Sequence, residues 1–228
     1  MVVADLDDGT GKDAVMSLGG AEVAAFAHTD VASPESVAET ARMAVDTFGG
    51  IDILINNAAI YGDWDMSDQS YEYLKRVFDV NLHGVWLTSR AVAPHLVARG
   101  GGRIVNQSSG AAYNYRGAGP APETFPGLGA YNYQQTKWGV VGLTKFMAAQ
   151  LGAWNITVNA IAPGVIDTEA TRKTVPQELL ATLATQQAVP GVLTADDLTG
   201  AAVYFASDDA RFVTGQVLVI DGGKHMPA

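Results

Sequence analysis

Short apolar runs alternate with longer stretches of helical period along this chain, and the order of that alternation predicts its architecture. Met1 to Ala4 is apolar and β-branched and breaks at an Asp/Gly cluster, which predicts a strand followed by a helical stretch to about Leu18. Glu22 to Ala27 reads as the next strand. Ser33-Pro34-Glu35-Ser36 is a helix start, with Ser33 as N-cap and Pro34 at the first helical position, and that helix runs to the stop at Gly49-Gly50. Ile51 to Ile55 predicts a third strand and Ser67 to Ala98 a long helical region, with a kink or an end at Pro94. Arg103 to Asn106 follows as a strand, Tyr131 to Leu151 as a helix and Thr157 to Ala162 as a strand. Helical stretches near Gln177 to Ala188 and Ala195 to Ser207 lead to the last strand, Val217 to Ile220, stopped by Asp221-Gly222-Gly223.

Short apolar strands alternating with helices mean crossover connections and a mostly parallel sheet covered by helices on both faces. No repeat, charge block or linker divides residues 1–228, so a single α/β domain is expected. The segment from Gly110 to Gly129, with five glycines and Pro120, Pro122 and Pro126, is too long for an ordinary connection. It is expected to act as a substrate loop, a role common among long excursions of this kind.

Composition narrows the function. Charged residues are 17% of the chain and apolar ones 48%, which argues for a packed core and against disorder. The formal charge is −10, with no basic stripe, so nucleic acid and anionic membranes are poor partners. The absence of cysteine excludes disulfides, thiol catalysis and thiolate metal sites, and the four histidines (28, 83, 95 and 225) have no ligand spacing, so no metal is expected. Neither a membrane span nor a leader peptide is visible, and the chain reads as cytoplasmic.

Tyr133 and Lys137 lie one helical turn apart and share a face. A free phenol, with a pKa near ~10, is a poor base at neutral pH. A nearby ammonium favours the phenolate, so the pair is expected to exchange a proton with an alcohol or ketone. Ser109 follows a strand that ends in Asn106, and the carboxyl ends of parallel strands face the ligand crevice. Asn56-Asn57-Ala58-Ala59 also follows a strand, and Asn81 sits among the apolar Val80, Leu82 and Val85, where a buried amide needs partners. Asp5, at the end of the first strand, is placed to accept hydrogen bonds from ribose hydroxyls and to repel a 2′-phosphate, which favours NAD over NADP.

Taken in order, Asp30-Val31, NNAA at 56–59, Asn81 in VNLHG, VNQSS, Tyr-x-x-x-Lys at 133–137, VNAIAPGVIDT at 158–168 and SDDARFVTGQVLVIDGG at 207–223 make the chain resemble a short-chain dehydrogenase/reductase. The resemblance covers nearly the whole sequence and implies a Rossmann-like, doubly wound fold. It implies Tyr133 as general acid/base, Lys137 as its activator and a ribose ligand, Ser109 on the substrate oxygen and Asn81 supporting a proton relay. It also implies that Asp30 and Val31 face the adenine, that Asn57 and Ala58 line the adenosine side, and that Ile166 and Thr168 contact the carboxamide and phosphate. The long helices, apolar on more than one side, and the family likeness both point to a homotetramer.

Two departures temper this. The family's opening strand and Gly-rich turn, which receive the pyrophosphate, have no counterpart in these 228 residues. A chain starting at the second strand is expected to be N-terminally incomplete, to carry a gap in its sheet and to bind the dinucleotide weakly. The connection from Ser109 to Tyr133 is also roughly twice the family's habit and carries Tyr113, Tyr115, Arg116 and Phe125. The leading expectation is an NAD-dependent oxidoreductase of a secondary alcohol or ketone. A 3-oxoacyl thioester reductase and a catalytically silent scaffold subunit are the alternatives.

Overall fold

The central strand of the molecule is the one whose every residue is buried, Ile156–Pro163. A strand with no solvent face belongs inside a parallel sheet covered on both sides. In the computed structural model, which describes residues 1–61, 68–114 and 129–227, this is β5. β3 (Ile53–Asn56), β4 (Gly102–Gln107), β5 and β6 (Val217–Ile220) form a parallel sheet in that order. β1 (Val2–Asp5) and β2 (Ala25–His28) form a separate parallel pair.

The helices are α1 (Asp8–Ser17), α2 (Pro34–Phe48), α3 (Tyr71–Phe78), α4 (Gly84–Ala98), α5 (Asn132–Leu151), α6 (Glu169–Thr174), α7 (Gln177–Thr185) and α8 (Asp196–Ala206). Neighbouring residues of β4 show why two layers are needed. Ile104 packs with Ala41 of α2, Val92 and Leu96 of α4 and Val140 and Met147 of α5. Val105 points the other way, towards Phe205 of α8 and Ala210. This is the period-two alternation of a strand with a helix layer on each face, and the expected α/β doubly wound class is what forms.

The helix punctuation of α2 follows its sequence. Ser33 Oγ accepts from the Ser36 amide at 3.2 Å, and Gly49 closes the helix in the left-handed region (φ 78°). Elsewhere the structure departs from expectation. β2 begins at Ala25, because residues 21–23 form a turn. The long helical region starts at Tyr71; Ser67 lies outside the described residues. It is interrupted by a π-helical stretch, Asp79–His83. Pro94 neither ends nor divides α4, whose Val92 and Leu96 are anchored in the core on either side of it. α6 was not anticipated: Thr168 caps it, accepting from the Thr171 amide at 3.1 Å. Of the Gly110–Gly129 loop, residues 115–128, with Tyr115, Arg116 and Phe125, lie outside the described residues.

β1 and β3 are not hydrogen-bonded to each other. Between their edges lies a cavity of about 640 Å³, lined by Val2, Ala4 and Asp5 on one side and Ile53 to Asn56 on the other. Ile53 and Ile55 are 46% and 55% exposed as a result.

Candidate active site

The site is assembled where β4 ends and α5 begins. Ser108 Oγ donates to the Lys137 carbonyl at 2.8 Å, and Lys137 Nζ donates back to the Gln107 carbonyl at 2.9 Å. The two elements are therefore clasped from both sides. Tyr131 takes a left-handed conformation (φ 47°) immediately before α5, and Asn132 Oδ1 accepts from the Tyr133 amide at 2.7 Å. The Tyr133 phenol stands beside the Ser109 side chain, whose Oγ accepts from the Ala111 amide at 3.1 Å. Tyr61 closes over it edge-on, with ring centroids 5.3 Å apart.

The electrostatics differ from the sequence-based expectation. Burial pushes the Tyr133 phenol well above its ordinary range; the Ser109 side chain beside it pulls it down and Tyr61 raises it further. Lys137 was expected to lower it. Its ammonium instead sits 5.6 Å from the Tyr133 ring centroid and is held on the Gln107 carbonyl. Desolvation therefore outweighs the lysine's influence in this arrangement. Lys137 itself is 2% exposed, and burial lowers it from 10.5 to about 8.

That depression has a measurable consequence. Between pH 8 and 10.5 the unfolded chain holds a proton on Lys137 that the folded chain has shed, so stability contributed through this group rises with pH in that window. Relative to Lys137→Met, the unaltered chain is expected to gain about 2–3 kcal/mol in urea unfolding from neutral pH to about pH 10. A constant difference between the two proteins across that range would show that Lys137 is not held at a charge penalty.

Asn81 lies in the π-helical stretch and is fully buried. Its Oδ1 accepts from the Ile60 amide at 2.7 Å, and its Nδ2 donates to the Ile60 carbonyl at 3.0 Å and lies 3.5 Å from Thr136 Oγ1. Both ends of the amide thus hold the chain that follows NNAA. A second buried network escaped sequence reading. Asn56 Nδ2 donates to Asn106 Oδ1 at 2.9 Å and to Ser89 Oγ at 3.1 Å; Asn106 Nδ2 donates to Thr144 Oγ1 at 2.9 Å. It ties the ends of β3 and β4 to α4 and α5, and the only signal for it was asparagine at the close of two apolar strands.

The proposed ligand contacts fall into two cavities that share Asn57. Asp5, Val31 and Ala58 line the opening between β1 and β3. Ser109, Tyr133, Lys137, Ile166 and Thr168 line a second cavity of about 440 Å³. Asp30 faces neither; its Oδ1 accepts from the Ala32 amide at 2.9 Å. Asp5 Oδ1 accepts from the Asp7 amide at 2.9 Å, so it also caps a turn. Lys224 and His225, from the segment after β6, line the second cavity as well. The sequence offered His225 only as one of four scattered histidines. Among the described residues, no group of three or more His, Cys, Asp or Glu is placed to hold a metal.

A family model described as enoyl-(acyl carrier protein) reductase matches residues 1–225. The chain is 42% identical over 198 residues to an uncharacterized oxidoreductase of Mycobacterium tuberculosis, covering 86% of this chain and 74% of that one. It is 34% identical over 233 residues to (+)-borneol dehydrogenase 2 of Salvia officinalis, covering 97% and 78%. A candidate gluconate dehydrogenase from Agrobacterium tumefaciens, solved by crystallography, superimposes with a TM-score of 0.83 at 26% identity, covering 98% of this chain and 85% of that one. The protein belongs to the short-chain dehydrogenase/reductase family. It is an oxidoreductase of the alcohol/ketone type.

Proposed function

We propose that the chain is an NAD-dependent enzyme acting between a secondary alcohol and its ketone. The observation that carries this is the convergence of Ser109, Tyr133 and Lys137 on one wall of the 440 Å³ cavity, beside a second cavity that opens at Asp5. The residues fit the two ends of a dinucleotide. Asp5 and Val31 stand at the end that would take the adenosine, and Lys137, Ile166 and Thr168 at the end that would take the nicotinamide and its ribose. Asp30 lines neither cavity and takes no part in this reading, while Asn57 and Ala58 would lie along the ribose.

When bound, the nicotinamide supplies the two-electron acceptor or donor. Ser109 holds the reacting oxygen through its hydroxyl. In reduction, Tyr133 Oη gives its proton to that oxygen; in oxidation the phenolate, its own proton already released to solvent, takes the proton leaving it. A phenol raised by burial holds the proton that reduction consumes, whereas oxidation needs the phenolate that burial disfavours; Lys137 beside it has a value of about 8. Asn81 acts through Ile60, as a positioning residue for the wall that carries Tyr61. The direct test is reduction of NAD, followed by absorbance, against a panel of secondary alcohols. No turnover with any of them, in these 228 residues or in the form extended ahead of Met1 by a strand, Gly-rich turn and helix, would favour the silent scaffold.

Asp5→Ala is expected to narrow the preference for NAD over NADP, because it removes both the repulsion of a 2′-phosphate and an acceptor for the ribose hydroxyls. The ratio of kcat/KM for the two cofactors is the measurement; an unmoved ratio leaves Asp5 as the cap of the Asp7 turn. The acyl-carrier description of the matching family model favours the second reading, a 3-oxoacyl thioester reductase. The acidic Asp5 weighs against it, since biosynthetic reduction usually draws on NADP.

We also propose a cytoplasmic homotetramer. Among the described residues, no helix is long and apolar enough to cross a membrane. α4 and α5 leave Trp86, Trp138 and Phe146 largely uncovered, at 46%, 48% and 78% exposure. Helices apolar on a second face are covered by neighbours in an assembly. Light scattering at micromolar protein should give four times the chain mass, and a monomer would exclude the arrangement.

A further inference from the structure

The chain leaving β6 turns back into the site rather than away from it. Gly222 and Gly223 both take left-handed conformations (φ 65° and 79°), which bring Lys224 and His225 to the wall of the Tyr133 cavity. The turn is built around Asp221, 2% exposed, whose carboxylate accepts from the amides of Gly223, Lys224 and His225 at 2.9–3.0 Å. The same carboxylate takes His225 Nδ1 at 2.7 Å. Space for the ring is kept by Gly110, the residue after Ser109: a Cβ there would lie 3.2 Å from His225 Nδ1 and 3.4 Å from Asp221 Oδ2.

We propose that His225 is a specificity-determining residue that selects secondary alcohols carrying a second hydroxyl beside the reacting carbinol; this rests on the oxidoreductase reading above. The Asp221 oxygens accept from three backbone amides, and in the contact with the ring the carboxylate is the acceptor and Nδ1 the donor. Nε2 has no partner among the described residues and is left for a ligand. A hydroxyl, which can either donate to that nitrogen or accept from it, is matched there, and an alkyl group is not. The ring stands against the residue that follows Ser109, so the group it reads is a near neighbour of the reacting oxygen. Ser109 and Tyr133 are engaged with that oxygen itself, which leaves His225 to bind the adjoining one.

The probes are 2,3-butanediol and 2-butanol, which differ by one hydroxyl. With saturating NAD, the ratio of kcat/KM for diol over monool is expected to fall about tenfold in His225→Phe, the worth of one neutral hydrogen bond. His225→Gln, which keeps an acceptor on a similar reach, should recover part of the ratio. The loss should lie in KM for the diol more than in kcat. An unchanged ratio in both variants overturns the proposal. If the unaltered enzyme oxidises neither alcohol, the oxidoreductase reading is at fault, and nitrogen NMR of the histidine rings decides the site separately. Movement of the His225 Nε2 resonance by the diol and not by 2-butanol supports the diol site, and equal or absent movement removes it.

Discussion

Replacing Tyr133 by Phe is expected to lower kcat by about 10²–10⁴-fold, the usual worth of a positioned acid/base, while NADH affinity stays within a few-fold. Only the hydroxyl is removed. The ring keeps its edge-on contact with Tyr61, and the Asn132–Tyr133 contact that starts α5 is made by the backbone. What is lost is the hydroxyl that stands beside Ser109 at the cavity. Steady-state kinetics at millimolar NAD, with calorimetric titration of NADH beside it, separates chemistry from binding. A near-normal kcat in the variant would take Tyr133 out of the reaction.

The second large effect concerns the cofactor's two phosphates. The described residues around the two cavities offer a dinucleotide its adenosine and nicotinamide ends, but no glycine nest or helix N-terminus between β1 and β3 for the pyrophosphate. Two or three charge-assisted hydrogen bonds of ~1.5–3 kcal/mol each are then missing, and every ~1.4 kcal/mol is a factor of ten. These 228 residues by themselves are expected to bind NADH several orders of magnitude more weakly than the same residues carrying a strand, Gly-rich turn and helix ahead of Met1. The shorter form should also self-associate, because the facing edges of β1 and β3 are unpaired and Ile53 and Ile55 are exposed. Calorimetry on both forms decides the matter; micromolar NADH affinity in the shorter one would contradict it.

How much of this was legible beforehand depends on the range of the interactions. The ends of α2 are local affairs, set by Ser33, Pro34 and Gly49, and could be read directly. The strands β3 to β6 announced themselves as apolar runs because a doubly covered strand has no solvent face to interrupt them. The π-helical stretch could not be read: Asn81 is held by Ile60 and Thr136, far away in sequence. α6 is only six residues long and mostly polar, with no apolar period to detect. The charge state of Tyr133 was misjudged for a related reason. A lysine four residues away is visible in the sequence, whereas the depth to which the phenol is buried is a property of the assembled fold. His225 was passed over because its partner, Asp221, gains meaning only once the two glycines between them fold back.

The double clasp between β4 and α5 also bears on how the protein fails. Ser108 holds the carbonyl of Lys137, and Lys137 holds the carbonyl of Gln107. The strand in that clasp is hydrogen-bonded along β5, and the helix is anchored through Val140 and Met147 in the main core. The acid/base group therefore has no local opening of its own: separating it from Ser109 requires parting β4 from its covering helix. Loops and termini can fray at little cost, but this pair opens only with the global unfolding reaction. Heat inactivation should accordingly coincide with loss of the whole fold, without an earlier phase in which a folded protein has already lost its activity.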